Sequence, residues 1–130
     1  MKEPYEIKIM ACDTDAISSS RIGRILLKHQ YKNVIINTVP KYLIWMVAAH
    51  KPDFILTDNN LWDDYDAISL IKELRQANNT PVIIWTNKAT EKIFAAVFHF
   101  DNVLYIQKSE DDSLLLEFIS KTVAEGDLSS

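Results

Sequence analysis

Acid, hydroxyl and ammonium groups recur at matching places in this 130-residue chain, each just after a short apolar run. Asp13, Thr14 and Asp15 follow residues 7–12. Asp58 follows residues 53–57, Thr86 and Asn87 follow residues 81–85, and Lys108 and Ser109 come after residues 103–106. Two carboxylates that face one another need a cation between them, or one must keep its proton. A hard ion such as Mg²⁺ accepts carboxylate and carbonyl oxygens and retains several waters. Beside such an ion, Asp58 can act as a nucleophile and form an acyl phosphate. Lys108 would pair with the incoming phosphoryl group and Thr86 would hydrogen-bond to it. A plainer reading of Asp58 also stands: the strand simply leaves the core there. The elements that position these residues have to decide.

Those elements alternate. Residues 7–12, 33–39, 53–57, 81–85 and 103–106 read as five strands. Helical stretches lie between and after them, at 16–30, from Pro40 to about 50, at about 66–76, from a Thr90 cap to 100, and after Ser109 and Asp112, which have capping-box spacing. Pro40 suits a first helical turn, where its missing N–H costs nothing. Runs such as Val82, Ile83, Ile84 and Trp85 are apolar throughout rather than alternating, as strands buried on both faces are. Five β-α units with right-handed crossovers make an α/β doubly wound parallel sheet, a three-layer sandwich. In such sheets ligands sit beyond the carboxyl ends of the strands, where these polar residues fall.

Composition narrows the function. One domain is expected over 1–130, with its core at about 6–124 and a polar end at 125–130, a tail or the start of a linker. Hydrophobic residues make up 48% and net charge is −4, against both disorder and a basic nucleic-acid footprint. Cys12 alone allows no internal disulfide, and it reads as a small buried hydrophobe. No apolar run nears the roughly 18 residues of a membrane span, and the polar start does not read as a signal peptide. These features set the expectation of a cytoplasmic protein. Only Gly23 and Gly126 are glycine, so a Gly-rich phosphate loop is absent. His29, His50 and His99 are scattered without metal-ligand spacing.

Five stretches carry a family resemblance. KIMACDTD resembles the first strand and acidic turn of the receiver domains of two-component response regulators, the fold of chemotaxis receivers. DFILTDNNL resembles their phosphoacceptor strand, DAISLIKELR the helix after the acceptor loop, TPVIIWTN the strand ending in a switch threonine, and NVLYIQK the strand with a switch aromatic and a signature lysine. The likeness spans about residues 6–124. It implies a flavodoxin-like sheet of order 2-1-3-4-5 and a regulatory domain rather than an enzyme. Asp58 would be the phosphoacceptor. Asp13, Asp58 and the backbone carbonyl of Asn60 would hold Mg²⁺. Lys108 and Thr86 would contact the phosphoryl group, and Thr86 and Tyr105 would move together as the switch. A histidine kinase or phosphotransfer protein would donate, and a C-terminal effector domain, a downstream protein or a second copy would read the result. Contact with nucleic acid or membrane is not implied.

The chain departs from that pattern. Thr14 stands where the family has a second acid, and Asp15 reaches the site only if the turn is displaced by one residue. Asp15 otherwise suits the start of a helix. Trp62 replaces a common proline, Ala67 a habitual glycine, and Ser109 the proline after the lysine. A non-prolyl cis bond costs about 2.5–4 kcal/mol, so a trans Lys108–Ser109 bond and a shifted loop are expected. Weaker Mg²⁺ binding follows. The departures leave an alternative open, a pseudo-receiver that binds partners regardless of phosphorylation. A flavodoxin-like cofactor binder is disfavoured by the missing glycine loops.

Overall fold

The computed structural model describes residues 3–37, 42–62, 65–87, 90–109 and 111–125. Pro40, Val39, Asp63, Asp64 and residues 126–130 lie outside them. A short 3-10 turn at Pro4–Glu6 precedes β1 (Lys8–Cys12), α1 (Ala16–Lys28), β2 (Asn33–Asn37), α2 (Leu43–His50) and β3 (Phe54–Thr57). Next come β4 (Asn60–Trp62), β5 (Tyr65–Asp66), α3 (Ala67–Ala77), β6 (Val82–Thr86), α4 (Glu91–Val97), β7 (Val103–Gln107) and α5 (Ser113–Glu125). The main sheet is five-stranded, parallel, and ordered β2-β1-β3-β6-β7. Counting only its own strands, this is the expected 2-1-3-4-5. Among the described residues, no helix is long and apolar enough to cross a membrane.

Period-two alternation divides the core into two layers. Ile9, Ala11, Phe54, Leu56, Ile83, Trp85 and Ile106 pack with Ile22 and Leu26 of α1 and Leu115 and Ile119 of α5. Met10, Cys12, Ile55, Val82 and Ile84 pack on the other face with Leu43, Val47, Leu70, Ile71, Leu74 and Val97, from α2, α3 and α4. The central strands are therefore buried on both sides, which is why their sequences do not alternate. β2 is different. It lies at the sheet edge, and Ile36 is 39% exposed despite the apolar sequence around it.

Local signals set the helix starts. Asp15 caps α1 by accepting from Ser18 N, Asp66 caps α3 by accepting from Ser69 N, and Thr90 caps α4 by accepting from Ile93 N. The start of α5 differs from the expected Ser109/Asp112 capping box. Asp111 instead accepts from the Ser113 N–H and hydroxyl, at 2.9 and 2.6 Å. Asn102 takes the left-handed conformation (φ 59°) at the turn into β7, as its side chain allows. There is no cis peptide bond among the described residues, so Lys108–Ser109 is trans as expected. The β4–β5 hairpin was not foreseen, because strands of three and two residues are too short to show a period.

Gly23 lies in α1 facing β2. A Cβ there would come within 3.3 Å of Ile36 Cδ1, the far end of a partly exposed side chain that can rotate away. Gly23→Ala is therefore expected to stabilise the fold by up to ~1 kcal/mol through helix propensity. Urea unfolding would show the midpoint rise; a clear fall would mean that the α1–β2 contact cannot yield.

Candidate functional site

The layer parity also aims the polar residues beyond the strands. Continuing Ile9 and Ala11 by two leads to Asp13, continuing Phe54 and Leu56 leads to Asp58, and continuing Leu104 and Ile106 leads to Lys108. All three extend the layer covered by α1 and α5. Thr86 continues Val82 and Ile84, and Tyr105 continues Val103, on the opposite face. Strand alternation alone thus sorts the candidate residues into an acid–lysine group and a threonine–tyrosine group.

The acid–lysine group converges. Lys108 Nζ donates to Asp13 Oδ2 and Asp58 Oδ2, each at 3.2 Å, and to Ser18 Oγ at 3.1 Å. Lys108 and Asp13 are buried, with side chains 3% and 1% exposed, while Asp58 opens to solvent at 15%. The backbone fixes each of them. Lys108 N donates to Thr86 O, Asp58 N donates to Cys12 O, and Asp13 O accepts from Ser19 Oγ. The Asp58 carboxylate is oriented from both sides, since Oδ1 accepts from Asn59 N at 2.6 Å and Oδ2 faces Lys108. Asp58 is thus the one of the three that faces solvent, in a geometry set by a strand end.

One ammonium between two carboxylates leaves an excess negative charge in a largely buried place. Burial raises the Asp13 carboxyl above its usual range, although the Asp15 N–H and the Lys108 ammonium pull it down. Burial likewise pushes the Cys12 thiol up to about 12, with Asp13 and Asp58 adding to it, so Cys12 is a neutral packing residue as expected. This excess charge suits a divalent cation. Asp13, Asp58 and the backbone carbonyl of Asn60 are the donors that would hold one. The bond that closes the β4–β5 hairpin beside Asn60 falls on Asn59 O, which accepts from Ala67 N at 2.8 Å. Asn59 Oδ1 is buried and without a hydrogen-bond partner among the described residues. No cluster of three His, Cys, Asp or Glu able to hold a metal occurs among the described residues. Two carboxylates and one carbonyl are few, hard oxygen donors, a set that would suit a cation keeping much of its own water, as Mg²⁺ does.

Asp15 is placed differently. Its Oδ2 accepts from Ser18 N at 3.1 Å, and this backbone N–H, then the Ser18 hydroxyl, hold its carboxyl below the usual range. The carboxylate is engaged at the start of α1, and Thr14 is exposed. Asp66 caps α3, so the acidic stretch contributes a helix start. The side chains of Asn60 and Trp62 are not described.

The threonine–tyrosine group is not closed on itself. Thr86 is buried at the end of β6. The Tyr105 hydroxyl accepts from Thr90 N at 3.1 Å, and its ring lies 6.3 Å from that of Phe94. Tyr105 therefore rests against the start of α4.

Three participants were not legible in the sequence. Ser18 ligates Lys108. Trp85 lies beneath it, with Lys108 Nζ and Arg21 Cζ each 5.0 Å from its ring centroid. Arg21 Nη2 donates to Ser109 O and, at 2.6 Å, to Asp112 Oδ1. A serine and an arginine three residues apart on one helix carry no signal until the start of α1 meets the β7–α5 turn.

Comparison with known proteins agrees with this geometry. The family model described as "Response regulator receiver domain" matches residues 9–120. Among solved structures, the chain is similar to the signal receiver domain of an HD domain-containing protein from Pseudomonas fluorescens Pf-5, with a TM-score of 0.81 and 18% identity over 92% of this chain and 96% of that one. It is similar to the BeF3-activated N-terminal receiver domain of Klebsiella pneumoniae RstA, with a TM-score of 0.77 and 23% identity over 88% and 96%. Vibrio cholerae chemotaxis protein CheY4 gives a TM-score of 0.76 and 16% identity over 88% and 97%. A search of curated protein sequences gave no match.

The raised Asp13 carboxyl has a consequence for stability. A group whose pKa is higher folded than unfolded binds its proton more tightly in the fold, so protonation favours folding. Relative to Asp13→Asn, the wild-type chain is expected to gain stability as pH falls from Asp13's raised folded value through the ordinary 3.8, and to show no such gain above that window. Urea unfolding of both proteins between about pH 7 and about pH 4 measures the difference. A gap that stays flat or moves against the wild type on acidification would sink the assignment.

Proposed function

The chain belongs to the response regulator receiver family, and from that premise we propose that Asp58 accepts a phosphoryl group from a histidine kinase or phosphotransfer protein. One observation carries the reading: a partly open carboxylate held between a backbone N–H and a buried lysine, with a second buried acid on that same lysine. In the transfer, an Asp58 oxygen forms a bond to phosphorus as the donor's P–N bond breaks, and the donor imidazole takes up a proton. Lys108 is placed to face the charge on the phosphoryl oxygens, and the Asn59 N–H keeps the carboxylate from rotating. Thr86 would turn its hydroxyl to the new group. Tyr105 would then leave the Thr90 N–H, so that the start of α4 loses a partner and the surface changes. Mg²⁺, held by Asp13, Asp58 and the Asn60 carbonyl, would supply positive charge against the incoming phosphoryl group.

The reading is of a regulatory domain within the cytoplasm, with a single receiver unit over residues 1–130 and output through a partner, an effector domain beyond Ser130, or a second copy. A second reading rests on one observation. Asp15 is occupied as the cap of α1 and Thr14 faces solvent, so two carboxylates serve where the family pattern has three. On that reading the domain binds its partner without phosphorylation.

Intact mass after incubation with acetyl phosphate separates the two. A single phosphoryl adduct is expected that needs Mg²⁺ and disappears in Asp58→Asn. Lys108→Ala is expected to reduce its rate of formation by at least about tenfold, the typical effect of removing a charged transition-state contact. No adduct from acetyl phosphate or from any tested kinase, together with partner binding indifferent to both, would leave the second reading standing.

A further inference from the structure

The turn that carries Lys108 has no element of its own to hold it. β7 ends at Gln107 and α5 begins at Ser113. Ser109 supplies no ring to fix its backbone. The internal bonds of this turn are local: Ser109 Oγ donates to Asp111 O, and Asp111 accepts from Ser113. Besides the bond from Lys108 Nζ to Ser18, the described tie from this turn to another helix comes from Arg21. Its Nη2 donates both to Ser109 O, the carbonyl directly after Lys108, and to the Asp112 carboxylate. Its guanidinium also sits 5.0 Å from the centroid of the Trp85 ring, which Lys108 Nζ approaches to the same distance. One turn earlier on α1, Ser18 ligates Lys108 Nζ itself.

A half-exposed Arg–Asp pair contributes little to stability by itself. The arrangement here does something more specific. Two cations share one indole ring, and each is attracted by the ring's quadrupole while repelling the other. Asp13 and Asp58 offset the charge of Lys108, and Asp112 offsets that of Arg21. The ammonium therefore has a floor in Trp85 and, through Arg21, a tie on the carbonyl that follows it and a repelling neighbour. We infer that Arg21 is a positioning residue for Lys108: it clamps the β7–α5 turn to α1 and, as a second cation at the Trp85 ring, sets where the ammonium stands relative to Asp58.

The rate arm of the test rests on the acceptor reading of Asp58; the labelling arm does not. In the full chain with acetyl phosphate and Mg²⁺, Arg21→Met is expected to slow adduct formation about fivefold. Arg21→Lys is expected to recover little, because its ammonium falls one bond short of the Nη2 position and lacks the guanidinium that lies against Trp85. In a Lys108→Ala background, Arg21→Met is expected to have no further effect. The same factor in both backgrounds would show a general structural role and overturn the inference. Independently, acetic anhydride labelling read by peptide mass is expected to modify Lys108 several-fold faster in Arg21→Met, or in Arg21→Lys if the former does not fold. The rate at Lys8, whose Nζ donates to His50 O in another part of the fold, should stay constant. Unchanged Lys108 labelling overturns the inference; faster labelling without any adduct keeps it and loses the acceptor reading alone.

Discussion

A single buried ammonium holds two carboxylates together at the carboxyl edge of the sheet. Lys108 lies 3.2 Å from an oxygen of Asp13 and 3.2 Å from an oxygen of Asp58. Three strands, β1, β3 and β7, are committed to this meeting, because a residue just beyond each must arrive with its side chain on the same face. A charge taken from water this far costs several kcal/mol unless it is paired. The pairing is incomplete by one unit, since two acids share one base. Burial raises the Asp13 carboxyl, and the unpaired negative charge makes the site a place for further positive charge. The same imbalance that makes the buried site costly is what would suit it to a cation.

The sheet supplies the convergence through its period. Alternation along β1, β3 and β7 carries the acids and the lysine to the α1–α5 side, and alternation along β6 and β7 carries Thr86 and Tyr105 to the α4 side. The two groups are adjacent in sequence order yet belong to different core layers. Lys108 N bonds to Thr86 O across the β6–β7 ladder, so the layers meet through backbone. On the proposed acceptor reading, a change at the acids would reach the start of α4 along this link, where the Tyr105 hydroxyl accepts from the Thr90 N–H. α1 has a part as well. Its buried face packs Ile22 and Leu26 into the core, and its first two turns present Ser18 and Arg21 to Lys108, Trp85 and the β7–α5 turn.

The departures from the family pattern are accommodated locally. Asp15 starts α1 and is spent there. Ser109 adopts a trans bond, and its carbonyl is taken by Arg21. Asn102 fills a left-handed turn position and ties its side chain to Asn79 O. In each case a local hydrogen bond engages the departing residue, and the fold is the one shared with structural neighbours at 16–23% identity.

The sequence by itself determined the order of the elements, the parallel character of the sheet and the edge at which chemistry would collect. Strand burial on both faces leaves unbroken apolar runs, and polar residues at their ends have to face out of the core. It also carried Asp13, Asp58, Thr86 and Lys108, because each is tied to a strand end whose parity can be counted. Only the structure decided the β4–β5 hairpin and the start of α5, whose local signals are too short to read, and the Ser18, Trp85 and Arg21 surroundings of Lys108. The last depend on distances between segments far apart in the chain, such as the 88 positions between Arg21 and Ser109. Local propensity and periodicity say which face a residue occupies; they are silent on which residue of another helix will stand opposite, since that is fixed by packing across the whole sheet.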